Sequence, residues 1–389
     1  MEKVTLGVSL YPEQESLEDI DNYLKMASSY GFKKVFTSMF SVPGSKDEII
    51  AYFKDFTKIV HKYNMIVSGD CNSELFKRLE ATETDLSVFK EIGIDILRMD
   101  FSFNDERDAA LINNKEGIKI EMSTSFIDII EKAIKNGARE ENILTCHNFY
   151  PERYTAPSLE AINEINEYWK KKNIPVAIFI SSLVEGTHGP WPVSDGLPTI
   201  EEHRNMPIDI QLKHCLAMNN VDEIIIGNAY ASEEEFKAID RVMKEAYVDI
   251  EKNTSLGFLS DFLPHGLTKR IPFNIILEDD ITDIEKEILF NFPSHADLGD
   301  CMNYMLRSRW TRMIYKGKEI PERKCDKKVY KRGDVVIVND NLEHYRGEVQ
   351  IVLKDMEVDG QRNLLGRIDE REIFILDHIK AKDVFTFIK

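Results

Sequence analysis

The first two-thirds of the chain alternates short, nearly unbroken apolar runs with longer amphipathic stretches. The runs predict strands at 3–9, 32–38, 65–69, 94–100, 118–123, 141–147, 174–181 and 221–226. Several lack the polar alternation of a half-exposed strand, as expected of parallel strands covered on both faces. Between them apolar positions recur at helical spacing, for example over 16–30, 45–64, 158–173 and 232–246. Ser16 and Ser45 supply N-caps followed by acidic residues, and Gly31 supplies a stop. Eight such units in about 245 residues predict an α/β fold, a (β/α)8 TIM barrel. An open doubly wound sheet is the rival, but it commonly has fewer strands, and no G-x-G-x-x-G follows the first run.

From about residue 329 the helical period disappears. VYKRGDVVIVND, GEVQIVLKDMEV, RNLLGRI, EIFILDHI and VFTFIK read as short strands separated by turn residues. The chain therefore divides into a barrel over 1–248 and, over 249–389, a small all-β, barrel-like domain with its connecting segment. No repeat and no Pro/Gly/Ser-rich linker separates them.

Composition narrows the partners. With 50 Lys+Arg against 68 Asp+Glu the net charge is −18, which opposes nucleic acid over most of the surface. A small phosphorylated ligand stays open, because it needs only a local nest of donors. No apolar run reaches the roughly 18 residues that span a bilayer, so no membrane partner is expected. The N-terminus opens straight into a strand pattern without a signal sequence, which predicts a cytoplasmic protein. Cys71, Cys146, Cys215, Cys301 and Cys325 are scattered and odd in number, and they read as reduced thiols. Oligomeric state is open, a homodimer included.

In a barrel of this kind chemistry sits at the carboxyl ends of the strands. Those ends carry Tyr11-Pro12-Glu13, Asp70, Arg98-Met99-Asp100, Glu121 with Ser123, and His147-Asn148-Phe149-Tyr150. The last two lead into Glu185–Pro190 and Gly227-Asn228-Ala229-Tyr230. Each has a plainer reading. Arg98 and Asp100 share a face and suit a structural pair as well as a catalytic one. Asp70 suits the cap of the following SELFKRLE helix. Glu121, inside a strand, is costly unless paired or useful. His147 suits loop scaffolding or ligand contact, and Lys119 shares a face with Glu121. Metal is unsupported, since no H-x-H or H-E-x-x-H occurs, and so is a serine hydrolase, since no G-x-S-x-G occurs. The turn 186–189 and the GNAYAS stretch 227–232 suit a phosphate cradle, with Arg307, Arg309 and Arg312 as nearby charge.

Several stretches together resemble a known family. They are Tyr11-Pro12, Phe36-Thr37-Ser38, Arg98-x-Asp100, His147-Asn148-Phe149-Tyr150-Pro151, Gly189-Pro190 and Gly196-Leu197-Pro198-Thr199-Ile200-Glu201-Glu202-His203-Arg204. In the tail Arg307-Ser308, Gly333-Asp334 and the run Tyr345–Ile351 belong to the same set. The chain resembles the bacterial 6-phospho-N-acetylmuramidases over nearly its whole length. The resemblance implies a (β/α)8 barrel followed by a cyclophilin-like β domain. It also implies cytoplasmic hydrolysis of a 6-phosphorylated N-acetylmuramyl–N-acetylglucosamine disaccharide in cell-wall sugar recycling, with no cofactor. Three positions depart from the family pattern: Asn228 for an aspartate, Ser123-Thr124-Ser125 for an Asn-Ala-Ser-like end, and His188 for an arginine. They leave the exact phosphosugar open.

Glycoside hydrolysis needs an acid for the leaving oxygen and a second group at the oxocarbenium-like centre. Asp100 and Glu121 are the expected working carboxylates, with Asp70 beside them at the barrel mouth. Tyr11, Arg98, His147, Asn148, Tyr150, Gly189, Asn228, Arg307, Arg346 and Glu348 are the expected substrate contacts. A non-catalytic phosphosugar-binding protein is the alternative, and a sugar-phosphate aldolase or isomerase a third reading.

Overall fold

A computed structural model describes residues 3–39, 42–191, 193, 195–249, 266–299 and 302–389. Cys301 lies outside them, and the four described cysteines are free. The chain divides into two compact units, one of Val4–Cys215 with Asn219–Asp240, the other built mainly from Arg241–Lys389.

The first unit is a closed barrel of eight parallel strands in sequential order. These are β1 (Thr5–Leu10), β2 (Lys34–Ser38), β3 (Ile66–Cys71), β4 (Ile96–Met99), β5 (Lys119–Ser123), β6 (Ile143–Cys146), β7 (Val176–Ile180) and β8 (Glu223–Ile226). Each overlaps one of the predicted runs, because burial on both faces favours apolar side chains at most of its positions. Helices cover the outside. Leu17–Ser29 and Lys46–Lys62 start at Ser16 and Ser45, whose side chains accept from the backbone N–H three residues on. The second of these buries Ile49, Phe53, Phe56, Thr57 and Val60, a stripe at 3.6-residue spacing. Enclosing each such aromatic side chain contributes roughly 1.5–3 kcal/mol.

The barrel interior is apolar on one side and charged on the other. Tyr11, Phe36, Cys146, Ala177, Phe179, Leu197, Ile225 and Ala229 form one packed cluster. Below and beside it Lys34 Nζ reaches Glu121 Oε1 at 2.5 Å and Glu223 Oε2 at 2.6 Å. Both Lys34 and Glu121 are completely enclosed. Burial alone lowers a lysine, but the two carboxylates outweigh it and hold Lys34 well above the ordinary range. Lys34, not Lys119, is therefore the counter-ion of Glu121. Lys119 Nζ turns outward to the Glu141 carbonyl and Asn142 Oδ1.

The second unit is built on a mixed sheet. It comprises β9 (Tyr247–Asp249), β10 (Leu267–Leu277), β11 (His295–Ala296), β12 (Met305–Ser308), β14 (Asp334–Val338), β15 (Val349–Val352), β17 (Arg362–Ile368) and β18 (Val384–Ile388). A separate ribbon pairs β13 (Val329–Tyr330) with β16 (Met356–Glu357). The main order is β11-β18-β10-β17-β14-β15-β12, with β10 and β18 parallel and the other neighbours antiparallel. Its end strands β11 and β12 approach each other, so the sheet nearly closes. Besides the strands it carries a helix, Asp283–Asn291, opened by a Thr282/Glu285 capping box. EIFILDHI is not a strand. It forms 3-10 turns within Glu370–Asp377, because Glu372, Ile375 and Leu376 are buried at helical spacing and the Asp369 side chain accepts from Arg371 N.

Breaking a buried ion pair by removing one partner costs about 3–5 kcal/mol. Lys34→Met should lower the melting temperature by on the order of 10 °C, and Lys119→Met by no more than about 2 °C. Equal melting points for the two variants, by calorimetry, would remove the Lys34 plug from the account of stability.

Candidate active site

Asp70, Arg98 and Glu121 are register partners across β3, β4 and β5. Because strands of a closed barrel tilt and stagger, one hydrogen-bonded row slopes along the barrel axis. The row therefore places three charged side chains at different depths. Glu121 is lowest and fully enclosed, with Oε1 on Lys34 and Oε2 accepting from Ser68 Oγ at 3.3 Å. Asp70 and Arg98 lie higher, 7% and 6% exposed. Asp100, two residues further along the chain, is exposed. Of the three carboxylates expected at the mouth, Asp70 lies in the upper tier, Asp100 is exposed and Glu121 sits at the floor.

Arg98 organises the upper tier. Its Nη1 donates to Asp70 Oδ1 at 2.9 Å and its Nη2 to Asn148 Oδ1 at 2.5 Å. Its guanidinium stands over the Phe36 ring at 5.8 Å, and its Nε is 3.8 Å from Glu121 Oε2. Asp70 does not cap the next helix; Asn72 does, accepting from Leu75 N. Burial pushes the Asp70 carboxyl up to about 6, against the lowering effect of Arg98 and with the charges of Asp100 and Glu121 adding to the rise.

The H-N-F-Y stretch divides by strand alternation. Cys146 and Asn148 face the interior, and His147 faces the helix behind. Both its ring nitrogens are engaged, Nδ1 with Thr124 Oγ1 at 3.0 Å and Nε2 with Asn166 Oδ1 at 2.6 Å. Since an amide oxygen only accepts, Nε2 carries the proton. Burial lowers the ring to about 4, so it is neutral scaffolding. Phe149 packs edge-on to Phe36 and Phe179 and stands 6.3 Å from Trp191, whose ring is largely exposed. Tyr150 is half-buried, and its backbone joins the 196–204 run: Tyr150 N donates to Pro198 O, and Arg204 Nη1 donates to Tyr150 O.

That run is a brace. Arg204 is buried, bidentate on Glu201, and donates to the carbonyls of Tyr150, Glu152 and Asp195. Thr199 Oγ1 donates to the Asn148 carbonyl, fixing the residue that meets Arg98. Tyr11 is enclosed and its hydroxyl donates to Gly227 O at 2.6 Å. A Cβ at Gly227 would meet Leu197 O at 2.5 Å, so this close approach of two backbones requires glycine.

The expected phosphate cradle is differently furnished. Asn228 is buried, accepts from Ser181 Oγ and Ser182 N, and donates to Ser182 O and Thr187 Oγ1. At the start of the helix Glu233–Ala246 the Glu235 carboxylate already accepts from Ser232 N, Leu183 N and Ser182 Oγ. On the loops after β1 and β7, His188 Nε2 pairs with the largely buried Glu15, a contact that no spacing in the sequence announces. In the second unit Arg307 is bidentate on the enclosed Glu348, at 2.6 and 3.0 Å, and Arg346 pairs with Asp340. Among the described residues no group of three or more His, Cys, Asp or Glu is placed to hold a metal ion, and no helix is long and apolar enough to cross a membrane.

The N-terminal model of the 6-phospho-N-acetylmuramidases matches residues 6–241 and their C-terminal model residues 271–388. The chain belongs to this family. As a 6-phospho-N-acetylmuramidase relative it is similar to the crystal structure of an uncharacterized B. cereus protein, 34% identical over 100% of both chains with a TM-score of 0.84. A conserved Enterococcus faecalis protein of unknown function is 23% identical over 99% of this chain and 96% of its own, with a TM-score of 0.67, and shares the fold. No curated protein matches the chain. The two runs most specific to the 6-phospho-N-acetylmuramidases, HNFYP and GLPTxExHR, are thus the ones that position Asn148 against Arg98.

Carbon-13 carboxyl titration should find Asp70 near 6. Arg98→Met should raise it further and Asp100→Asn should lower it, since those charges act in opposite senses. A midpoint near 4 that ignores both substitutions would remove Asp70 from the acid role.

Proposed function

We propose that this protein hydrolyses a 6-phosphorylated N-acetylmuramyl–N-acetylglucosamine disaccharide in the cytoplasm, as a step in cell-wall sugar recycling. N-acetylmuramic acid 6-phosphate and N-acetylglucosamine are the products. The family supports a 6-phospho-N-acetylmuramidase activity. The observation that carries the reading at residue level is Asp70, a buried carboxyl raised to about 6 beside the exposed Asp100.

In this reading Asp70 is the general acid. Protonated at slightly acid pH, it delivers its proton to the glycosidic oxygen, and Arg98 then stabilises the carboxylate it leaves. Asp100 is the second carboxylate, facing the charge that develops on the sugar ring. Arg98 and Asn148 keep the acid in place, and the exposed Trp191 offers an apolar face for a pyranose. Glu121 serves the site from below, as the anion that holds Lys34.

Three measurements test this. The acid form of Asp70 is full below about 6 and is lost as pH rises through it, so kcat/KM should fall about tenfold per pH unit above that point. Asp70→Asn should abolish this limb, and Asp100→Asn should lower the single-turnover rate roughly 10²–10⁴-fold with affinity retained. Removing the 6-phosphate from the substrate should weaken kcat/KM about a hundredfold or more, as two charge-assisted hydrogen bonds of roughly 1.5–3 kcal/mol are lost. Absence of turnover in the unmutated protein, with phosphosugar still bound, would make it a binding protein instead.

A further inference from the structure

The second unit contains a cavity of about 690 Å³ lined by Arg312, Lys316, Glu343, His344 and Arg346, with Met313 and Gly317 at its edge. In a chain of 68 acidic and 50 basic residues, a wall with three cations and one carboxylate runs against the composition. We propose that this cavity is an anion site and that it takes a phosphomonoester.

The donors are held in advance of any ligand. Arg312 stands over the Tyr345 ring at 5.1 Å, and Arg307 over the same ring at 5.6 Å. Glu348 accepts from Arg307 through both oxygens and from Gln350 Nε2 as well. Arg312 Nη1 is left 3.8 Å from Glu348 Oε2, beyond hydrogen-bond reach, buried and with no hydrogen-bond partner. Arg346 is oriented by Asp340, which also accepts from Ile320 N. Gly347, at φ +85°, brings the 343–347 turn against the Arg312 backbone, where a Cβ would come within 3.4 Å of Arg312 Cα.

A phosphomonoester brings up to two negative charges and three acceptor oxygens, which suits three cationic side chains around one space. The inference does not rest on the reading of the barrel, and turnover is not its readout.

Calorimetric titration of the full chain tests it with inorganic phosphate, glucosamine 6-phosphate and uncharged N-acetylglucosamine. Both phosphates should bind and the uncharged sugar should not. Lys316→Glu, at an exposed position, should weaken phosphate binding at least tenfold and leave the melting temperature unchanged; Arg346→Ala should weaken it comparably. Phosphate binding that survives both substitutions lies elsewhere and overturns the proposal, as does no phosphate binding by the unmutated chain.

Discussion

The barrel depends on a lysine in its floor. Lys34 bridges Glu121 and Glu223, and without it Arg98 would be the nearest cation to Glu121. One guanidinium cannot satisfy Glu121, Asp70 and Asn148 at once with good geometry. With the floor closed by Lys34, Arg98 turns both terminal nitrogens to the upper tier. The electrostatics of the mouth is thus set one layer below it.

The same constraint explains why so much of the fold was legible and so little of the charge pairing. Strands announced themselves as apolar runs, and Ser16 and Ser45 marked helix starts that the structure keeps. Those signals are local. The Lys34–Glu121 pair joins β2 to β5 across the barrel, and nothing in FKKVFTS says which lysine points inward. Register and stagger decide that, and a single sequence contains neither. Glu15–His188 was hidden for the same reason, since its partners sit on loops far apart in the chain. EIFILDHI failed differently: a short apolar run carries no length to separate strand from helix, and only the burial of Glu372 reveals the helical face.

Family-specific motifs also proved to be mostly architecture. His147 is neutral and committed on both nitrogens, and Arg204 is tied to a carboxylate and three carbonyls. Their common effect is to fix Asn148 from behind while Arg98 meets it from the front. A loop that positions a polar group needs such bracing, because a side chain free to turn gives up orientation. Sequence reasoning reads the motif as function, and the structure reads it as the frame that function requires.

In the proposed function, depth separates the work of the carboxylates. Proton transfer to a substrate requires a group that is both protonated near working pH and within reach. Glu121 is enclosed and held by Lys34. Asp100 is exposed, which keeps water around its charge and leaves it suited to face a developing cation. Asp70 lies between, desolvated enough for burial to outweigh an arginine at 2.9 Å, yet on the row that slopes toward the mouth. Three carboxylates on neighbouring strands are alike in chemistry and differ only in height. Barrel stagger supplies that difference, which the proposed two-carboxylate chemistry would use to separate acid from base.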